Sequence, residues 1–410
     1  MLVKDISICN PSCSSSEIFS DFINYVDTSS VADGTLNGVQ KLTSQYPSRA
    51  QREVLQNDIL ISSVRPNLKH NYFASSVMPH MVASTGFIHI RVTDFEKISP
   101  LFLYYFLTSP TCVGNYIRIA DTAQSSYPSF NKEVIESTSL PDFDLPTQRH
   151  IASILGSLDE KIEINRRKIE KLEALARMIY EHWFVQFDFP DTNGKPYKSS
   201  GGAMVWNEEL KQEIPDGWRV VSFADIVDIE KDSVAPDEFK HLTVEHYSIP
   251  AFDEKHWPTF EYGTEIASNK FRVNNREFLV SKLNPQFKRI WNPICKTENA
   301  LCSTEFMVFK PKNDEMKSYC YSVADGIAFY NFMVAHASSS TGSRKRFPAE
   351  NIQFFKFAHP GKNAILEQFD SIQKENLIQI SLCYASIEKL IALRDWLLPM
   401  LMNGQVTVGE

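Results

Sequence analysis

"IEKLEAL" at residues 169–175 returns as "IEKLIAL" at residues 387–393, with six of seven letters alike at an offset of 218. The first copy sits in a longer pattern. From Thr147 to about Glu181 there is no proline, and Gly156 is the only glycine. Ile151, Leu155, Leu158, Ile162, Asn165, Ile169, Leu172, Ala176 and Ile179 recur at alternating spacings of four and three, with charged residues between them. That period is a coiled-coil seam. At about 1.5 Å per residue the stretch predicts a rod of roughly 52 Å. The second copy, about 363–402, carries a weaker seam through Phe369, Asn376, Ile380, Cys383, Ile387, Leu390 and Leu397. A rod with one apolar stripe needs a partner stripe, since each buried Leu or Ile contributes about 1.5–3 kcal/mol that exposure forfeits. The economical partner is the other copy, which predicts an antiparallel pair within one chain. Leu158, Ile162, Asn165, Ile169, Leu172, Ile380, Ile387 and Leu390 are the expected pairing and docking positions. Asn165 and Asn376, polar within the seam, are expected to fix its register.

The repeat extends beyond the helices. "DILISSVRPNLKH" (58–70) aligns with "EFLVSKLNPQFKR" (277–289) at an offset of 219, and "STGF" (84–87) then falls on "STEF" (303–306) without a gap. The chain therefore reads as two tandem halves, each a mixed domain followed by a long helix. Residues 59–64 and 278–283 read as strands, each ended by a proline. "GFIHIRV" (86–92) alternates Ile88, Ile90 and Val92 with His89 and Arg91, which predicts a half-buried strand. "LFLYYFL" (101–107) and "IAFYNFM" (327–333) read as buried helices. The expected domains are 1–145, a central helix 146–188, an exposed connector 189–217, a second domain 218–361 and a C-terminal helix 362–403.

Composition sets limits. At 410 residues, 43% hydrophobic and 22% charged, the chain is an ordinary globular protein of two or more domains. No apolar run reaches the ~18–20 residues of a membrane span, and the N-terminus does not read as a signal peptide. Seven cysteines without a Cys-x-x-Cys pair fit a reduced cytoplasm, and Cys9 with Cys13 is a poor metal pair. The net charge of −8 excludes a protein that coats nucleic acid indiscriminately, so any such site must be local.

No catalytic constellation stands out. "LNPQF" (283–287) departs from an Asn-Pro-Pro-Phe methyltransferase loop at Gln286, and no Gly-x-Gly follows a strand to hold a methyl donor. Asp191, Glu209 and Lys211 match a nuclease spacing but fall in the connector. His241 and His246 have neither helical nor finger spacing for a metal. The expectation is a chain with no catalytic residues, no cofactor and no metal.

The segment 145–190, with "DEKIEINRRKIEKLEALA" leading into "WFVQFDFP", then "GKPYKSSGG" and "IPDGW", resembles the central conserved region of specificity (S) subunits of type I restriction–modification systems. The resemblance covers the full chain, although the second helix is poorly charged around "LIQISLCYA" (377–385). It implies an α+β fold in which two similar mixed α/β target-recognition domains alternate with two long helices that pair as an antiparallel coiled coil. It implies a non-catalytic reader of a bipartite, asymmetric site in double-stranded DNA. The helices would act as a ruler on which two adenine-N6 methyltransferase (M) subunits dock, and motor–nuclease (R) subunits would join for restriction. No membrane partner is implied. A structural coiled-coil protein, a fused DNA enzyme and an S-like subunit of a methylation-only or related defence system are the alternatives.

The repeat nominates the DNA-contacting positions. Arg65, Lys69 and His70 correspond to Asn284, Lys288 and Arg289, just after a strand, where functional loops sit. A second segment, 337–347, corresponds to 121–130, because Phe130 and Phe347 align ahead of Ile135 and Ile352. There Ser340, Thr341, Ser343 and the Arg344-Lys345-Arg346 run suit phosphate contact. Gln124, Ser125 and Tyr127 could reach base edges or stack. Asn274, Asn275 and Arg276 offer bidentate base contacts, or a tight turn.

Overall fold

A computed structural model describes residues 1–11, 21–32, 34–122, 128–338, 344–361 and 364–406. They form two compact units, residues 1–161 with 390–410 and residues 162–389, so the division falls inside both long helices.

In the first unit, strands Ser7–Cys9, Phe87–Val92, Ile59–Ser62 and Asn71–Phe73 form an antiparallel sheet in that spatial order. A second sheet orders Gln40–Leu42, Ile23–Val26, Met81–Ser84 and Ala50–Glu53, with a parallel central pair. Strand Ile59–Ser62 is buried on both faces. Ile59 and Ile61 meet the helices Pro100–Leu107 and Pro110–Thr122, while Leu60 and Phe87 meet the second sheet.

The second unit repeats this plan. Val227–Glu230, Phe306–Pro311, Phe278–Ser281 and Ile290–Trp291 form the antiparallel sheet, and a five-stranded sheet again holds one parallel pair, Thr243–Tyr247 with Ala300–Ser303. Even the register is copied: Ile90 faces Ile59 as Phe309 faces Phe278, and Phe87 faces Ser62 as Phe306 faces Ser281.

The strand 87–92 is fully buried rather than half-buried. His89 has no exposed surface, and its Nε2 lies 2.7 Å from Oδ2 of the equally buried Asp58. Arg91 completes the group by donating to Asp58 through Nε at 2.9 Å and Nη2 at 2.7 Å. Burial alone would raise the Asp58 pKa, but hydrogen bonds from Arg91 and His89 hold it below the usual carboxylate range. A polar residue inside a buried strand is tolerated because a polar partner meets it there.

The long helices are Leu145–Tyr180, which ends in a π-helical turn over Glu181–Val185, and Ala364–Met402. Their seam residues are buried or half-buried, and their intervening charges lie mostly outside. In the second unit Asn165 Nδ2 donates to Ser386 Oγ at 3.0 Å, Lys168 reaches Gln379 at 2.9 Å and Gln373 Nε2 donates to the Ala176 carbonyl at 3.1 Å. Numbers rise on one helix as they fall on the other, so the pair is antiparallel. In the first unit Ile151, Ala152 and Leu155 share a core with Leu398, Leu401 and Met402. The C-terminal helix is long and apolar enough, by length and composition alone, to cross a membrane, although it holds no uninterrupted apolar run of that length. Part of that apolar character is the seam packed against the central helix, and Leu382, Leu393 and Trp396 are exposed.

Gly156 has a packing reason. A Cβ there would stand 3.3 Å from Leu101 Cδ2 and 3.9 Å from the Tyr105 hydroxyl, so the glycine lets the helix Pro100–Leu107 approach closely. The connector is better ordered than an exposed linker. Phe189 stacks on Tyr197 at 4.6 Å and on Trp218 at 5.2 Å, and Met204–Asn207 pairs with Gln212–Pro215 as a hairpin. The nuclease-like spacing dissolves there: Asp191 caps the Asn193 and Lys195 amides, Glu209 pairs with Lys356, and Lys211 pairs with Glu208.

Candidate nucleic-acid interface

Both nominated loops converge, and they do so identically in the two units. Ser62 N–H donates to the His70 carbonyl at 3.0 Å, as Ser281 N–H does to Arg289 at 3.0 Å. The hydroxyls of Ser62 and Ser281 close the turns by donating to the carbonyls of Val64 and Leu283. Arg65 N–H then donates to the Pro128 carbonyl at 2.9 Å and Asn284 N–H to the Lys345 carbonyl at 2.7 Å. Finally Phe130 N–H donates to Ser63 at 3.0 Å and Phe347 N–H to Lys282 at 2.9 Å, with both phenyl rings buried as anchors. The strand-end loop and the segment before the anchoring Phe are thus one surface in each half. Gln124, Ser125, Tyr127, Ser340, Thr341 and Ser343 lie outside the described residues, between these fixed ends.

Arg65 and Asn284 share a left-handed backbone, with φ of 50° and 47°. Asn tolerates that region, and the Asn284 carboxamide also accepts the Lys345 N–H at 2.9 Å. Arg has neither advantage, so domain 1 holds an exposed guanidinium on strained backbone at the position where domain 2 holds a self-capping turn.

Charge differs between the halves. Arg65 and Lys69 are exposed, whereas His70 is half-buried and burial lowers its pKa, which keeps it uncharged at neutral pH. In domain 2 several cations already hold carboxylates. Lys288 Nζ is 2.6 Å from Asp325, Arg289 grips Asp253 at 2.6 and 2.8 Å, and Arg346 grips Glu305 at 3.0 and 2.6 Å. Arg344 and Lys345 make no ion pair among the described residues. The side chains of Asn274 and Asn275 are engaged in a turn. The Asn274 side chain accepts from Arg276 N–H and donates to Glu277, and Asn275 exchanges two hydrogen bonds with the Cys295 backbone. All three residues are exposed, and Arg276 lies 3.6 Å from Asp314.

A polar joint escaped sequence reasoning. Tyr105 O–H donates to Asp159 Oδ2 at 2.6 Å and Arg394 Nη1 donates to Asp159 Oδ1 at 3.0 Å, tying the first unit's domain to both helices. The available signal was Arg394 itself, a charge at the seam position between Leu390 and Leu397. The exposed apolar residues of the helices form a second pattern: Ile164, Leu175 and Met178 correspond, at the offset of 218, to Leu382, Leu393 and Trp396, and all six are exposed.

The fold is a twice-repeated mixed α/β domain built on paired helices. Residues 5–174 match the type I restriction modification DNA specificity domain. Over 164 residues the chain is 31% identical to the HindI specificity subunit of Haemophilus influenzae, a match spanning 40% of this chain and 35% of that relative. Over 385 residues it is 26% identical to the MjaIX specificity subunit of Methanocaldococcus jannaschii, covering 89% and 84% of the two chains. The crystal structure of a type I S subunit from M. genitalium superposes with a TM-score of 0.61 at 13% identity, covering 98% and 95%, which shows a shared fold. Residues 5–174 thus resemble the DNA specificity domain, and the relatives matched over the rest of the chain are type I specificity subunits.

The cap at Asn284 is open to test. Asn284→Ala removes the acceptor for Lys345 N–H, and with it the carboxamide that makes left-handed backbone tolerable there, so urea unfolding should show a loss of about 1–2 kcal/mol. Asn284→Asp, which keeps the acceptor, should retain most of that stability, and equal losses in the two variants would discount the cap.

Proposed function

We propose that this chain is the DNA-reading subunit of a type I restriction–modification complex, with 1–145 and 218–361 as its two recognition domains. Each domain reads one half of a bipartite, asymmetric site, and the helices within 146–188 and 362–403 hold the halves at a fixed spacing. The observation that carries this is the duplicated hydrogen-bond frame, which presents two different loop sequences on one backbone. A repeated frame with divergent tips is what two readers of unlike half-sites require. The chain itself performs no chemistry. Adenine methylation and cleavage belong to its partners in the cytoplasm.

Arg65 and Lys69 in the first domain and Arg344 and Lys345 in the second are assigned to DNA. Lys288, Arg289 and Arg346 contribute only if DNA phosphate displaces their carboxylates, a costly exchange for a bidentate pair. The matched exposed apolar sets on the helices, Leu175 with Met178 and Leu393 with Trp396, suit two copies of one partner, the methyltransferase subunit.

Three measurements bear on this reading. Replacing 218–361 with the matching domain of a related S subunit should change one half of the sequence methylated by the complex and leave the other half and the spacing intact. A swap that alters both halves, or neither, rules out two independent readers. Next, Arg344→Ala with Lys345→Ala should weaken cognate and non-cognate DNA about equally and flatten the slope of log affinity against log salt by roughly 0.9 per lost contact. An unchanged slope removes both residues from the phosphate interface. Last, Leu175→Glu with Met178→Glu should cost the complex one methyltransferase copy, and Leu393→Glu with Trp396→Glu the other. Native mass spectrometry that still finds two copies in either variant discards these docking faces.

A further inference from the structure

Backbone contacts fix which residues of the second unit stand where first-unit residues stand. Ser109 N–H donates to Phe106 and Val113 N–H to Ser109, just as Gly326 N–H donates to Val323 and Tyr330 N–H to Gly326. The offset through these helices is therefore 217, and Tyr105 corresponds to Ser322. On the long helices the offset is 218, so Asp159 corresponds to Leu377 and Arg394 to Ala176. All three members of the first unit's joint are thus replaced. A phenol, a carboxylate and a guanidinium give way to a hydroxymethyl, an isobutyl and a methyl group. The space is not refilled: Ser322, Leu377 and Ala176 all line a cavity of about 530 Å³ within the second unit. That volume lies in the range of small-ligand sites.

The walls say what would fill it. Tyr180, Phe252 and Tyr321 supply aromatic faces. Glu173, Glu181 and Asp325 face Arg177 and Lys288, so the lining carries one more negative than positive charge. His256 also lines it, and burial lowers its pKa, so it adds no positive charge at neutral pH. Asp325 is neutralised by Lys288 at 2.6 Å, while Arg177 stands back at 3.6 Å from Asp325 and 3.9 Å from Glu173. Burial raises the Glu173 pKa, which the nearby Arg177 only partly offsets.

We propose that this cavity binds a planar aromatic cation, an amidinium or guanidinium carried on a ring, in the place that the Tyr105 and Arg394 side chains hold in the first unit. The ring would lie among the aromatic walls and the cation would face Glu173. Such a group could belong to a free small molecule or to a side chain of a partner protein.

Benzamidine is the probe. Titrated into the full chain, it should bind saturably in ligand-detected NMR and raise the Tm. Ser322→Tyr, which rebuilds the missing phenol, should abolish both signals, and Glu173→Gln should weaken them. If Ser322→Tyr fails to fold, Ala176→Arg blocks the cavity from the opposite wall and serves instead. Absence of saturable binding to the unaltered chain overturns the proposal, as does a filled variant that binds as tightly. In the assembled methyltransferase complex, loss of the benzamidine site assigns the cavity to a partner side chain and retention assigns it to a free ligand. Both outcomes sustain the site.

Discussion

Everything in this fold is referenced to the seam between two helices. A helix of 36 residues with a single apolar stripe gains its stability from packing that stripe, not from intrinsic propensity. Apolar seams tolerate slippage by a heptad, and polar residues remove that freedom. Sliding the pair would separate Asn165 from Ser386 and Gln373 from the Ala176 carbonyl, leaving buried donors without acceptors at about 1–3 kcal/mol each. The domains are keyed to the same helices by a recurring device. Gln148 Oε1 accepts the Ser99 N–H at 3.0 Å at the start of the helix Pro100–Leu107, and Asp370 Oδ1 accepts the Tyr319 N–H at 3.0 Å in the first turn of Lys317–Asp325. In each unit the long helix that follows a domain caps a helix of that domain.

The helices, their antiparallel sense and the duplication were legible because they are written in periods and offsets, which survive without knowledge of contacts. The strand-end loops were legible for the same reason, since Pro66 and Pro285 mark equivalent turns. What the sequence hid were contacts between residues far apart in number. His89 read as a solvent-facing residue of an alternating strand, because nothing local reveals that Asp58, 31 positions earlier, meets it. Nor does anything local reveal that the Cys295 backbone, 20 positions away, engages Asn275. Tyr105, Asp159 and Arg394 come from three elements and could be found only through the anomaly of an arginine in an apolar seam.

The two halves share a backbone and differ in how they use charge. Net charge predicted a local rather than global DNA surface, and the structure sharpens this: in the second unit Asp325, Asp253 and Glu305 already hold three of the cations nearest the converging loops. A surface so neutralised has a weak long-range field, because each pair presents a dipole rather than a charge. It can still discriminate, since a bidentate Arg–carboxylate pair is a positioned hydrogen-bonding group whose exchange for a base edge is sensitive to geometry. Weak steering with directional groups leaves discrimination to local geometry rather than to long-range attraction.

The same logic explains why the duplication is strict in one layer and loose in another. The hydrogen bonds from Arg65 to Pro128 and from Asn284 to Lys345 involve backbone atoms, so they persist whatever side chains the loops carry. Side chains above that frame are then free to change without unfolding the domain, as exposed Arg65 and self-capped Asn284 demonstrate at one position. Beneath the frame the constraint differs again. The joint that Tyr105, Asp159 and Arg394 fill is a cavity at Ser322, Leu377 and Ala176, so packing against the helices has diverged even where the backbone has not. An internal repeat therefore does not impose twofold function on every layer: it fixes the scaffold twice and leaves each half to acquire its own surfaces.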